Sequence, residues 1–296
     1  MSLADLPRYE FARPRTLDAA CALLSQREQT GGRTVLLAGG TDFMVQVSQG
    51  PLVDGPLPWV LDLSRLEELL GVGFDGTTLR IGAGVTYLAL QRDPIVREYA
   101  PLVARMTHDI GGPTIQARGT LGGNLATASP AADGVAAIAA YDPVIEVRSL
   151  RGSRKIPMAA LQTGYKQTSR ANDEIIVAIE LRAPAHGSAW CWRKVGARLA
   201  QAISKVAFAG IAELHDGRTT RVGFAMASVA ATTALLPNTR ELVLATPLGS
   251  LTAAAVDAAV TLDVSPIDDV RSTRNYRVHT AKAVVRGFLR ELGAPL

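Results

Sequence analysis

The sequence predicts an α+β protein in two parts, a first domain over residues 1–184 and a second over 185–296. Up to residue 184, short apolar runs suited to strands alternate with helical segments and glycine turns. The pattern breaks at Pro184-Ala-His-Gly187, which reads as a linker. Beyond it, two strand-like runs meet at Asp216-Gly217, a hairpin signal, and helices follow. With 296 residues, 48% of them apolar, the chain can bury a core in each part. Only 5% are aromatic, and glycine and alanine are abundant, which suggests close packing of elements.

The first domain divides at about residue 55, into 1–55 and 56–184. Asp18 to Ser25 forms a short amphipathic helix with Ala19, Ala20, Leu23 and Leu24. Gly31-Gly32 ends it, and Thr34–Ala38 is an apolar run suited to a buried strand. Trp59–Leu63 and Thr78–Gly82 are strand-like, the second following an Asp75-Gly76 turn. Tyr87–Arg97 is expected as a helix and Gly119–Asn124 as a glycine-rich loop. Ser129-Pro130 reads as a helix start, Ser as cap and Pro at the first position, with the helix running over Ala131–Tyr141. Val144–Arg148 is a further strand. In the second domain Lys205–Leu214 and Thr220–Val229 are strands. Leu251–Val260 and Tyr276–Leu292 are helices, and Gly293 is a C-cap.

Charge excludes several roles. Lys and Arg number 31 against 27 Asp and Glu, a dispersed net charge of +4 without basic runs, so nucleic acid is not an expected partner. The two cysteines, Cys21 and Cys191, form no C-x-x-C, and the four histidines have no metal-ligand spacing. No metal site is therefore expected on this chain. The N-terminus carries no apolar core of a signal peptide, and no apolar run reaches about 18 residues. The cytoplasm is the expected location, with no membrane span.

Three glycine clusters compete for a phosphate-binding role. Gly71-Val-Gly-Phe-Asp-Gly76 matches G-x-G-x-x-G, but a dinucleotide fold needs a strand before it and a helix after it. Strand-like Thr78–Ile81 follows instead, so it reads as a turn. Ala38-Gly39-Gly40-Thr41-Asp42 follows a strand, where consecutive glycines let backbone N–H groups converge on an anion. A plain strand-end turn is an equally weighted reading of that cluster alone. Gly119-Thr-Leu-Gly-Gly-Asn124 runs toward a helix start, a favourable place for a diphosphate, with Asn124 as a possible amide donor. Asp133 falls in the first turn of that helix, where a carboxylate complements the dipole. Beside a phosphate it would be repelled by from about 1 to several kcal/mol at about 4 Å, so near a cofactor it should accept from hydroxyls instead.

Leu36-Leu-Ala-Gly-Gly-Thr-Asp-Phe43 and Arg118-Gly-Thr-Leu-Gly-Gly-Asn-Leu-Ala-Thr-Ala-Ser-Pro-Ala-Ala-Asp133 resemble the two FAD loops of the medium subunits of the xanthine dehydrogenase and carbon monoxide dehydrogenase family. The resemblance continues through Thr163–Thr168, Asp173–Ile176, Arg193–Arg198, Gln201–Val206 and Pro266–Arg277, so it spans nearly the whole chain in order. It implies a FAD-binding domain of the vanillyl-alcohol-oxidase (PCMH) type, followed by a C-terminal α+β domain of antiparallel sheet and helices. It implies that Leu36, Leu37, Ala38, Gly39, Gly40, Thr41, Asp42 and Phe43, with Thr120, Gly122, Gly123 and Asn124, hold the FAD diphosphate through backbone N–H groups. It gives Asp133 a cofactor hydroxyl, puts Ile110 and Ile176 over the two faces of the isoalloxazine, and brings Lys194 toward the flavin. By their residue types alone, Ile110 and Ile176 would be core residues and Lys194 a solvated charge. Ile110 departs from the aromatic ring of some xanthine dehydrogenases.

The resemblance further implies an oxidoreductase subunit that carries FAD only and has no catalytic residue of its own. A large molybdopterin-binding subunit would hold the molybdenum cofactor and hydroxylate the substrate. A small subunit would carry two 2Fe–2S clusters. Electrons would pass through FAD on this chain to NAD, O2, a quinone or another acceptor, within a dimer of heterotrimers. Two other readings stand beside it. One is a self-sufficient flavoprotein oxidoreductase of the same FAD fold, which Pro266–Arg277 argues against. The other is a scaffold that has lost FAD, which the intact glycines argue against.

Overall fold

The computed structural model describes residues 8–48 and 57–296. The division expected near residue 55 and the first seven residues of the N-terminal stretch lie outside the described residues. The first sheet is built by β1 (Phe11–Ala12), β2 (Thr34–Leu37) and β3 (Trp59–Asp62). β3 lies between the other two and runs parallel to both. Between β1 and β2 lies α1 (Leu17–Thr30), longer at both ends than expected. Thr16 caps it by accepting the Ala19 N–H at 3.2 Å, and Leu17, Ala20, Cys21 and Leu24 form its buried stripe. Gly39-Gly40 then turns the chain from β2 into α2 (Thr41–Ser48). The strand at Trp59, expected in the second subdomain, thus completes the sheet of the first. Parallel pairing joins segments distant in sequence, and no local pattern reveals it.

The second sheet is antiparallel, in the order β4-β5-β10-β6-β7. Its first strands, β4 (Val72–Phe74) and β5 (Thr78–Gly82), form a hairpin whose turn is held by Asp75, which accepts the Thr77 and Thr78 N–H groups at 2.9 and 2.8 Å. Gly71–Gly76 is therefore strand and turn, with no helix behind it. Six short helices follow: α3 (Tyr87–Arg92), α4 (Pro94–Tyr99), α5 (Pro101–Thr107), α6 (Pro113–Arg118), α7 (Leu121–Thr127) and α8 (Asp133–Ala139). The sheet is completed by β6 (Val144–Ser149), β7 (Gly152–Pro157) and β10 (Ile175–Arg182). Between β7 and β10 lie α9 (Met158–Leu161) and the small hairpin of β8 (Gln162–Gly164) and β9 (Gln167–Thr168).

Three expectations are corrected in this run of helices. The helix expected over Tyr87–Arg97 is two helices, because Pro94 lacks the N–H a continuing helix needs and Asp93 caps a new start. The expected loop Gly119–Asn124 is mostly helix: Thr120 accepts the Gly123 N–H at 3.0 Å and opens α7. The helix expected from Ala131 begins at Asp133. Ser129 holds only a local turn, accepting the Ala131 N–H at 3.3 Å.

The third sheet contains β11 (Ala189–Val195), β12 (Val206–His215) and β13 (Arg218–Ala227), antiparallel in that order, and α10 (Pro237–Ala245), α11 (Ala253–Asp263) and α12 (Arg274–Glu291) accompany it. Sequence reading found neither β11 nor α10. The sheet is buried on both faces. Trp192, Ala207, Ala209, Ile211, Ala225 and Ala227 belong to the main core, shared with α5 and α8 of the first domain. The alternate residues Cys191, Phe208, Phe224 and Met226 pack with Val285 and Phe288 of α12 in a second core. Alanine on one face lets the first domain's helices approach, while aromatic rings fill the other.

Candidate cofactor-binding site

The two glycine segments that sequence reading selected meet in space. A Cβ on Gly39 would stand 1.9 Å from the Arg118 carbonyl oxygen and 3.1 Å from Gly119 Cα. Only glycine lets the strand-to-helix turn lie on that backbone. Gly40 has φ +78°, the left-handed region that completes the turn. Arg118 Nε donates to the Gly39 carbonyl at 3.4 Å, and Thr127 Oγ1 donates to Asp42 Oδ2 at 3.4 Å across the same contact. The result is a cradle with the N-terminus of α2 on one wall and α7 on the other. The first N–H groups of α2 have no partner within the helix and carry its positive end.

Several of the residues expected around a diphosphate are engaged elsewhere. Leu36 and Leu37 are paired with Leu61 and Asp62 of β3, and the Phe43 ring packs edge-on against Tyr9 with centroids 5.3 Å apart. The Gly122 N–H is taken by the Ala83 carbonyl at 2.9 Å, and the Gly123 N–H by Thr120 Oγ1 at 3.0 Å. Neither of those donors points freely at an anion, which alters the expected convergence of N–H groups there. Gly122 is glycine because a Cβ would lie 2.5 Å from that of Ala83. A Cβ on Gly123 would meet only Thr120 Oγ1, at 3.0 Å, so its other side is open. The donors opening α2, from Thr41 onward, stay available to an anion, and α7 supplies closeness of approach.

Behind the cradle sits a polar cluster. Asn124 Oδ1 accepts the Val135 N–H at 3.1 Å, tying α7 to the first turn of α8, and its Nδ2 makes no hydrogen bond among the described residues. Asp133 opens α8 with a side chain 10% exposed. Its Oδ2 receives Lys194 Nζ at 2.6 Å and its Oδ1 receives Ser204 Oγ at 2.5 Å. Burial pushes the Asp133 carboxyl up from the ordinary carboxylate range, against the opposing effects of Lys194 and Ser204. Each carboxylate oxygen still has a lone pair for a hydroxyl donor. Lys194 is not a solvated charge: it also donates to the Asp109 carbonyl at 2.7 Å. Ile110 follows Asp109 and is partly buried against the main core. Ile176 is buried in that core on β10, opposite Val147.

Sequence reading missed Asp109, Trp192, Ser204 and Tyr87. Trp192 and Lys194 stand two apart on β11 and so face the same side, toward the first domain. Trp192 Nε1 donates to Asp109 Oδ2 at 2.8 Å, and Arg105 pairs with the same oxygen at 3.1 Å. The Trp-Cys-Trp-Arg-Lys alternation was the available signal. The buried Tyr87 hydroxyl has no hydrogen-bond partner among the described residues and lies close to Gly134 of α8, and burial pushes its pKa far up. Arg277, from the segment Pro266–Arg277, is fully buried. It donates to the carbonyls of Lys205 and Ser228 at 2.9 and 2.8 Å and to Asp269 at 2.7 Å. Its role is to lock the ends of β12 and β13. Among the described residues no group of three or more His, Cys, Asp or Glu could hold a metal ion, and Cys21 and Cys191 are buried and free.

This arrangement fits an elongated dinucleotide cofactor. The cradle at Gly39 is one that a Cβ would fill, the α2 terminus suits phosphate, and Asp133 with Asn124 offers acceptors and donors for hydroxyls farther along. Residues 7–184 match the family model described as the FAD binding domain in molybdopterin dehydrogenase, and residues 192–292 match the CO dehydrogenase flavoprotein C-terminal domain. The chain is 29% identical over 289 residues to the xanthine dehydrogenase FAD-binding subunit of Escherichia coli O157:H7, covering 96% of each. It is also 29% identical over 287 residues to the carbon monoxide dehydrogenase medium chain of Hydrogenophaga pseudoflava, again covering 96% of each. A solved structure of carbon monoxide dehydrogenase from that organism superposes with a TM-score of 0.87 at 27% identity, covering 96% of both chains.

Proposed function

This chain belongs to the FAD-binding family of the molybdopterin dehydrogenases, and from that premise we propose that it is the electron-transfer subunit of a heteromeric molybdenum hydroxylase. The observation that carries the proposal is the contact of Gly39 with the Arg118–Gly119 backbone, which joins two distant glycine turns into one cradle. The relatives support it, being named as FAD-binding or medium subunits. The partners would be a large molybdopterin-binding subunit and a small subunit with two 2Fe–2S clusters, in a cytoplasmic dimer of heterotrimers. Electrons would leave to NAD, O2, a quinone or another acceptor.

Each residue of the site has a task toward FAD. The N–H groups opening α2, from Thr41 to Phe43, would neutralise the diphosphate, and Gly39, Gly40, Thr120, Gly122 and Gly123 keep the approach short. Asp133 would accept from a cofactor hydroxyl while Lys194 and Ser204 hold its carboxylate in place. Asn124 would donate its free amide. Ile110 and Ile176 would supply apolar contact to the ring faces. FAD, when bound, supplies the capacity to take electrons singly and release them singly or in pairs.

Co-expression with the two candidate partners tests the reading. The expected result is one complex of three subunits, with FAD released from this chain by acid precipitation because the segments 36–43 and 118–133 contain no His or Cys. Substrate hydroxylation by this chain alone, or a purified chain that takes up no FAD, would overturn it.

A further inference from the structure

The cluster at the head of α8 has an extension to which no role has been given. Lys194 reaches from Asp133 to the Asp109 carbonyl, and Trp192, two residues earlier on the same face of β11, clamps the Asp109 carboxylate at 2.8 Å. Asp109 sits at the end of α5, at the entry to the turn Ile110-Gly111-Gly112. Gly111 has φ +48°, and the Gln116 side chain donates to the Ile110 carbonyl at 3.0 Å. The turn is therefore fixed by Gln116 of α6, by Lys194 through the main chain, and by Trp192 through the Asp109 side chain, which also pairs with Arg105 of α5 at 3.1 Å. Two of those fixings come from the second domain.

We propose that Asp109 and Trp192 are positioning residues for the cofactor ring, setting the height of the 110–112 turn over it through the indole–carboxylate hydrogen bond. This rests on the reading that the cradle at Gly39 holds FAD phosphates. A dinucleotide leaving that cradle along Asn124 and Asp133 arrives at Lys194 and this turn. Trp192 is 7% exposed and, among the described residues, its indole N–H donates to Asp109 alone, so the donor end of the bond is buried and geometrically demanding. An anchor held by packing and by one such bond is how a binding surface is kept within a fraction of an ångström.

The test uses the full-length chain reconstituted with FAD. Trp192→Phe removes the donor and keeps an aromatic ring, Asp109→Ala removes the acceptor, and Asp109→Asn keeps an oxygen acceptor. Each variant is assayed for FAD dissociation constant, visible circular dichroism of the bound flavin, and melting temperature. Trp192→Phe and Asp109→Ala are expected to weaken FAD binding by about tenfold each and to change the flavin dichroism. The double variant is expected to be no worse than Asp109→Ala alone, since that substitution already removes the bond that Trp192→Phe removes, together with the Arg105 pair. Asp109→Asn is expected to restore the native dichroism. Lowered melting with unchanged FAD affinity and dichroism in both variants would overturn the proposal, as would additive effects in the double variant. A wild-type chain that takes up no FAD would refute the underlying cofactor reading, and is distinguished by failing before any substitution.

Discussion

Replacing Gly39 with alanine introduces a methyl carbon 1.9 Å from the Arg118 carbonyl oxygen and 2.7 Å from its carbon. Ordinary contact begins near 3.4 Å, so the two turns must separate by about 1.5 Å. The obstacle is backbone on both sides and cannot be swung away like a flexible side chain. The N–H groups opening α2 move with the turn and leave the phosphate they would bind. Loss of two such charge-assisted bonds, at roughly 1.5–3 kcal/mol each, amounts to at least about 3 kcal/mol, or more than about a hundredfold in affinity. Gly73→Ala is the control, because nothing lies within 4 Å of its Cβ position and its φ is ordinary. The assay is the flavin-to-protein ratio after gel filtration, followed by titration with FAD. Gly39→Ala is expected to emerge folded and nearly colourless, and Gly73→Ala yellow. If Gly39→Ala bound FAD like wild type, or Gly73→Ala lost it, the cradle would be wrongly placed.

Other outcomes follow from the buried charges. Arg277→Met should destabilise the protein by about 2–4 kcal/mol in urea titration, because two buried carbonyls lose their donor and Asp269 keeps only Arg271 of its two arginines. Burial opposes ionisation of Asp269, but hydrogen bonds from Arg271 and the charges of Arg271 and Arg277 hold it at about 2, below its ordinary 3.8. A depressed carboxylate contributes stability that is complete above the unfolded value and lost as pH falls through the folded one, so stability should drop between about pH 4 and pH 2. Asp269→Asn should flatten that part of the melting-temperature profile. Lys194→Met leaves Asp133 buried without its cation and raises its pKa further. The protonated form is then favoured in the fold, so the variant's deficit in urea should be larger at pH 8 than at pH 5. Asn124→Leu cannot cap Val135 and offers no amide donor. It should weaken FAD binding more than tenfold in titration, with about 1 kcal/mol lost in stability.

Much of the fold was legible because local signals agreed with the global arrangement. The helix around Asp18–Ser25, the strand at Thr34, the Asp216-Gly217 hairpin and the helix ending at Gly293 all carry their own caps or turn residues. The helices between residues 87 and 118 were less legible, although Pro94, Pro101 and Pro113 each mark a first helical position. Three helices of six or seven residues bury too short a stripe to display a period. The segment 119–124 misled for another reason: its glycines suggest a loop, yet Thr120 caps a helix in which Gly122 is required by contact with Ala83. Both selected glycine turns do lie at one place. Their neighbours Trp192, Ser204 and Asp109 could not be found from sequence, since they meet only when β11 and β12 dock on α5 and α8.

That docking has a consequence for what counts as a unit. The two family models divide the chain between residues 184 and 192, a boundary of descent. The main core ignores it: Ile138 and Tyr141 on one side share an interior with Ala209 and Ala225 on the other. Among the described residues the alanine face of the third sheet packs on the helices of the first domain, and the cation paired with the Asp133 carboxylate is Lys194 of the second. Cutting the polypeptide at residue 185 would therefore open an interior and leave neither fragment with a finished surface. The lengths matched by the two family models and the lengths that share an interior are different, and the Asp133–Lys194 pair lies across the seam.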